Sequence, residues 1–406
     1  MVQVLLSLYR LSDDTIVMSK SVQKINVLLF WPNNDWGLYG RTYEKVAEHL
    51  AELPDIRRVV CVFPPTHWKK LHLLRPITIK KVAGRLWLIN ENRSRFKEYP
   101  EGTNWRIRDK LIALVLRLFL RVAGFNASNT MLWIFPPHPY IDELVTSVPH
   151  MFTVAQIVDN FAKIDRKFWL YDYAIDQYPK MPEIADMVIT SSTANYDEFS
   201  KDNKRCYYFE NAVDRDFIAS VTPMPCRING TRPRIGYVGW LTERTDLGLV
   251  HYVAKSKPEW DVVLAGPQYK KILDNSEILS LDNIIYLGAI PYTDVPAYLG
   301  SLDVCIIPHK DTDYSRSMSP LKLYQYLASG RPVVSTDIAG LEQYAQYICV
   351  AAGKEEFVSC IENSLISDSS DLSAARIDRA GEETWDIRIN SMYHEVKRCI
   401  ESINAG

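Results

Sequence analysis

SMSPLKLYQYLASGRPVVST, residues 317–336, is the stretch on which the fold turns. Pro320 suits a first helical position, where its missing N–H costs nothing, and Ser319 before it suits an N-cap. The backbone of Ser319, Pro320 and Leu321 opens the turn, and amides at such a start are a ready anion site. Lys322 stands in the same turn, where a cation opposes the helix dipole unless an anion sits nearby. Gln325 follows by three residues on the same face and offers both donor and acceptor to sugar hydroxyls. Gly330 ends the helix, and Arg331 and Pro332 lead into a buried strand. A lysine and a helix start directed at one place are what a diphosphate requires. Taken alone, the same residues also describe an ordinary αβ unit with a solvated lysine.

Outward from that segment, short apolar runs alternate with amphipathic stretches. Residues 235–239, 260–265, 284–287, 303–308 and 332–336 read as strands, and 247–256 and 320–329 as helices. The first half follows the same grammar: INVLLFW (25–31), a loop with Gly37 and Gly40, and a helical pattern over 41–53. The runs RRVVCVFPP, RLWLIN, MLWIFPP, MFTVAQIVD and ADMVITSS come after it. Such alternation predicts an α/β fold of two doubly wound parallel sheets. Between the halves, VTPMPCRINGTRPR carries three prolines and no periodicity, which marks a linker. The expected organisation is an extension over 1–22, a domain over 23–222, a linker over 223–233 and a domain over 234–383. A final helix over 384–406 is expected to pack back on the first domain. The length of 406 residues suits two cores better than one.

Composition removes several classes. Forty-seven Lys+Arg against 49 Asp+Glu leave a net charge of −2, which argues against an overall electrostatic nucleic-acid binder. Seven scattered cysteines, without CxxC or a histidine at metal spacing, exclude a disulfide framework or zinc module and fit a reducing cytosol. No stretch reaches the ~18–20 apolar residues of a membrane span. The opening MVQVLLSLYR lacks the basic region and cleavage site of a signal peptide, and Met18 is an equally good start.

In that context residues 317–336 resemble the C-terminal nucleotide-sugar signature of the GT-B glycosyltransferases, a helix reading P-L-K-x-x-E/Q-Y-x-A-x-G-x-P-V. IGYVGWLTERTDLGLV (235–250) resembles the family's glycine loop, and PEWDVVLAGP (258–267) its strand ending in Gly-Pro. IIYLGAIPYTDVPAYLGSLDVCIIP (284–308) is similar to the base-binding strand, a helix and the strand before the signature. FENAVD (209–214) resembles the element that closes the N-terminal domain. The resemblance spans about 209–366 and, more loosely, the first half. It implies two Rossmann-like domains facing across a cleft, and a donor nucleotide sugar, UDP-linked, that is a substrate and not a cofactor.

One departure bears on stereochemistry. Many retaining members carry two glutamates eight residues apart, and here those positions are Ser317 and Gln325. The Lys-x-x-Gln pair instead resembles the inverting xanthan-type glucuronosyltransferases and polysaccharide or teichuronic-acid relatives. The resemblance then implies an acceptor that is a growing surface polysaccharide or a lipid-linked oligosaccharide. Lys322, with the 319–321 backbone, would stabilise the leaving diphosphate. Gly239 and Gly266 would let backbone approach it, and Tyr286 and Leu287 would meet the base. Asp159, at the carboxyl end of a predicted strand, is the candidate base, with Asp165 and Asp35 in reserve. An Asp-Asn pair after a strand is equally a turn or cap. His309 is a candidate cleft residue. Asp311-Thr312-Asp313 spells DxD, but two carboxylates in a polar loop are a poor cation site, and no metal is expected.

The span 57–121 holds sixteen Lys/Arg and four Asp/Glu. Within it Leu111, Leu114, Val115, Leu118 and Val122 recur at helical spacing, with Arg106, Lys110, Arg117 and Arg121 on another face. That pattern predicts either a membrane-surface helix or a core helix with a solvated basic face. Two rivals to the transferase reading are a UDP-sugar epimerase of the same architecture and a non-catalytic nucleotide-sugar-binding subunit. A nicotinamide dehydrogenase is disfavoured because no GxGxxG follows a strand.

Overall fold

The computed structural model describes residues 24–31, 36–63, 79–89, 114, 116–138, 141–166, 168, 170–221, 232–274 and 277–405. The extension over 1–22, Asp35, Arg106, Lys110 and most of the expected linker lie outside these residues. The chain divides into two units, one of residues 1–209 with 391–406 and the other of 210–390.

The first unit is an eight-stranded sheet: β1 (Ile25–Phe30), β2 (Ile56–Val62), β3 (Ile79–Ala83), β4 (Leu86–Ile89), β5 (Thr130–Ile134), β6 (Phe152–Ile157), β7 (Met187–Thr190) and β8 (Cys206–Tyr208). Their order is β3-β4-β2-β1-β5-β6-β7-β8. The described pairs are parallel except β3 with β4. β1, β5 and β6 are mostly apolar and buried along almost their whole length, as expected of a parallel sheet covered on both faces. Helix α1 (Thr42–Glu52) supplies Val46, Ala47 and Leu50 to one face. β3 was not foreseen. Its lysines at 80 and 81 stand on an exposed edge, where charge blocks strand addition and also hides the strand from an apolar-run search.

The basic helix differs from expectation in its buried face. In α2 (residues 116–122), Leu116, Phe119 and Leu120 enter the core with Ala123 and Phe125, while Leu114, Leu118 and Val122 face outward. Arg117 and Arg121 are also exposed. The helix is apolar on nearly every side, and the core takes the side that carries the large Phe119.

His138, beyond the end of β5, is fully buried, and Gln177 clamps its backbone N–H and carbonyl at 2.9 Å each. Burial pushes its imidazole down to about 3. The unfolded chain therefore binds a proton between about pH 6.5 and 3 that the folded chain does not. Stability should fall with pH through that window, by up to about 1.4 kcal/mol per pH unit for this one group. Urea melts across it should show a shallower slope for His138→Gln, and an unchanged slope would refute the assignment.

The second unit is a six-stranded, wholly parallel sheet: β9 (Arg234–Val238), β10 (Asp261–Ala265), β11 (Ile284–Gly288), β12 (Val304–Ile307), β13 (Val333–Thr336) and β14 (Cys349–Ala351). The order β11-β10-β9-β12-β13-β14 reverses direction between β9 and β12. Alternate strand residues serve opposite faces. Ile235, Tyr237, Leu264 and Ile306 pack with α3 (Leu247–Ser256), while Val238, Ala265 and Ile307 pack with α4 (Leu321–Ala328). Helix α5 (Lys354–Ser367) lies on the α3 face, and α6 (Ser370–Glu382) packs against α4. The last helix, α7 (Trp385–Ala405), starts in the second unit and ends in the first. Cys349 and Cys360 form a disulfide between β14 and α5, a correction to the all-thiol reading. Their spacing of eleven carries no sequence signal; the pair meets because α5 folds back along β14.

Candidate functional site

The carboxyl ends of β9 and β10 meet the start of α4. Gly239 follows β9 at φ 147°, and its N–H donates to the Ala265 carbonyl at 2.8 Å. A Cβ there would lie 2.7 Å from Lys322 Nζ, so the bare α-carbon is what lets the lysine lie along the turn. Gly266 ends β10 at φ 136°, and a Cβ there would come within 2.6 Å of the Gly239 carbonyl carbon. Two glycines thus stack tip on tip, and the lysine lies along the first of them, Gly239. Its Nζ stands 5.0 Å from the centroid of the Tyr237 ring, in cation–π range. Tyr286 on β11 donates its hydroxyl to the Gly266 carbonyl at 3.0 Å, holding the second glycine from behind.

Helix α4 is fixed to this turn at three points. The Tyr326 hydroxyl accepts from the Val238 N–H at 2.8 Å and donates to the Val238 carbonyl at 3.1 Å. At the far end, the Arg376 guanidinium donates twice to the Gly330 carbonyl, at 2.8 and 3.0 Å. At the near end the structure corrects the sequence reading. Pro320 itself is the N-cap, no side chain caps the helix, and Leu321 is the first helical residue. The Ser319 hydroxyl is taken instead by the Asn211 N–H at 3.2 Å, and the Asn211 amide donates to the Ser319 carbonyl at 2.8 Å. The Ser319 hydroxyl is turned toward FENAVD and does not cap α4.

Three polar atoms beside the lysine are buried without a hydrogen bond: Thr242 Oγ1, Arg244 Nε and His309 Nε2. Groups buried in this way normally find partners in protein or ordered water. His309 is 4% exposed; burial, then the charges of Arg244 and Lys322, push its pKa well below the usual imidazole range. It is therefore a neutral ring between two cations. The backbones of 244–246 and 308–310 are joined by hydrogen bonds, which place these side chains. An open cavity of about 630 Å³ adjoins, lined among others by Asp246, Tyr252, His309, Asp337 and Lys354. Its lining includes neither Gly239, Gly266 nor Lys322.

Other foreseen residues take quieter places. Gln325 is buried on α4, and Leu287 is 42% exposed on β11. Asp311 is ion-paired to Arg316 at 2.7 Å, which holds its carboxyl below the usual range. No cluster of three metal-ligating side chains occurs among the described residues. In the first unit, Asp159 follows β6, half-buried, and its carbonyl accepts from the Tyr178 hydroxyl at 2.6 Å. The cap of the next turn is Asn160, which accepts from the Ala162 N–H at 3.1 Å. Arg244 and Tyr326 were missed. Both lie inside quoted motifs, but only the fold shows which way they point.

Residues 232–367 match the family described as glycosyl transferases group 1. The chain is 25% identical over 326 residues to TuaH of Bacillus subtilis, named a teichuronic acid biosynthesis glycosyltransferase; the match covers 75% of this chain and 79% of TuaH. The fold matches sucrose-phosphate synthase of Thermosynechococcus elongatus with a TM-score of 0.70 at 12% identity, over 93% and 100% of the two chains. The chain has the GT-B fold, and its second unit carries the glycosyl transferases group 1 match. Trehalose 6-phosphate synthase of Burkholderia multivorans shares the GT-B fold, with a TM-score of 0.65 at 13% identity over 94% and 99% of the two chains. So does Anabaena Alr3699/HepE, solved with UDP and glucose, at 0.61 and 12% over 92% and 99%. The group 1 match covers Tyr237, Gly239, Arg244, Gly266, His309 and Lys322.

Proposed function

We propose that the chain transfers a sugar from a UDP-linked donor to a hydroxyl of a saccharide acceptor, with inversion, in surface polysaccharide synthesis. The observation that carries this is Lys322 lying along the Gly239 turn at a helix start that no side chain caps. Lys322, Arg244 and the first amides of α4 offset the charge of the departing diphosphate, so no divalent metal is needed. His309, held neutral, is free to share a hydrogen bond with a donor hydroxyl or phosphate oxygen. Ser317 and Gln325 offer no carboxylate, which favours direct displacement over a retaining path. Asp159 is the proposed base. It takes the acceptor proton as the acceptor oxygen attacks the anomeric carbon and the bond to the β-phosphate oxygen breaks. The name of TuaH supports a surface-polysaccharide acceptor, and we propose that it is lipid-linked and met at the cytoplasmic face of the membrane.

The test is UDP release from a panel of UDP-sugars with a lipid-linked oligosaccharide fraction. Asp159→Asn should lower kcat by about 10²–10⁴-fold with donor KM unchanged, and EDTA should leave the parent rate unchanged. Full activity in Asp159→Asn moves the base elsewhere. UDP release that persists without acceptor, and yields a new UDP-free sugar, returns the epimerase.

A further inference from the structure

We infer that α2 is a docking face for an anionic bilayer; this deepens the lipid-linked acceptor reading and rests on it. Burial of Leu116, Phe119 and Leu120 in the first unit's core fixes the rotation of the helix. Leu114, Leu118 and Val122, spaced by four, are then turned outward, at 50%, 56% and 66% exposure. A helix with one face in a core normally shows water a polar opposite face. Here the outward stripe is apolar, and Arg117 and Arg121 run beside it at the same spacing, both exposed. No acidic residue stands among the described residues of this helix. The sequence span 57–121 carries sixteen basic and four acidic residues, in a chain whose net charge is −2.

That combination selects the occupant. A second copy docked about a two-fold axis would bring arginine toward arginine. An anionic lipid surface satisfies both features at once, leucines at the acyl boundary and guanidinium groups on headgroup phosphates. No helix among the described residues is long and apolar enough to cross a membrane.

The experiment is flotation of the full chain with vesicles of phosphatidylcholine alone or mixed with phosphatidylglycerol. The parent should float with the anionic vesicles only. Arg117→Gln with Arg121→Gln should weaken binding about thirtyfold, and Leu118→Gln with Val122→Gln by at least about tenfold. Both variants should keep the parent melting temperature and its UDP-induced shift, which shows that they fold. Unchanged flotation of both variants overturns the inference. So does a dimer, seen by sedimentation, that the Leu118/Val122 variant dissolves. Loss of flotation in both variants upholds the docking face even where no lipid-linked acceptor is used; in that case only the acceptor reading fails.

Discussion

Lys322→Ala should remove most of the thermal stabilisation that a UDP-sugar gives the parent enzyme, and lower turnover by roughly 10²–10³-fold. The magnitude is that of deleting one preorganised contact to a developing anion, about 2.7–4 kcal/mol. Three features argue for that range. The amine lies on bare glycine backbone, so nothing else fills its place once it is cut back. Its cationic neighbour Arg244 and the α4 amides remain, so catalysis is crippled and not erased. The side chain is only half-buried, and the ties that seat α4 run through Tyr326, Asn211 and Arg376, so the unliganded melting temperature should barely move. Equal stabilisation of parent and variant by the same UDP-sugar would refute the phosphate assignment. Lys322→Arg is the informative companion: the charge survives, but the longer planar head does not fit flat on the glycine turn.

Gly266→Ala should cost stability, whereas Gly239→Ala should cost binding. At Gly266 the new methyl meets the backbone of Gly239, which is held by the Ala265 carbonyl and cannot step aside. Overpacking against fixed backbone adds to a φ that side chains rarely adopt. Together these cost about 3–5 kcal/mol, or a fall of about 10 °C in the melting of the second unit. At Gly239 the methyl meets the flexible end of Lys322, which swings away, so this variant should approach the ligand-binding defect of Lys322→Ala with a smaller loss of stability. Calorimetry and UDP titration of the two variants separate the effects. The same outcome for both would mean that the stacked arrangement is not as described.

The alternation of apolar runs with amphipathic stretches placed most of the strands, because buried parallel strands are the densest apolar segments in such a chain. β3, β8 and β14 escaped. β3 is an edge strand rich in lysine, and β8 and β14 are only three residues long. At the candidate site, the two glycines were legible because each turn there takes a positive φ that its own local backbone requires. Ser319 was misassigned: its capping role looked satisfied by the next residue in sequence, whereas its partner, Asn211, lies 108 positions away. Long-range competition of that kind leaves no local trace. Arg244 likewise needed the 244–246 and 308–310 pairing before its direction meant anything. On α2 the period identified a helix, but not which of its two apolar sides the core would claim.

Val213 and Thr384 lie side by side: Val213 donates to the Glu383 carbonyl at 2.9 Å and accepts from the Trp385 N–H at 3.0 Å. The second unit therefore ties the two ends of its own chain together near where it begins and ends, and the glycine turn, Lys322, Arg244 and His309 all lie on the closed stretch in between.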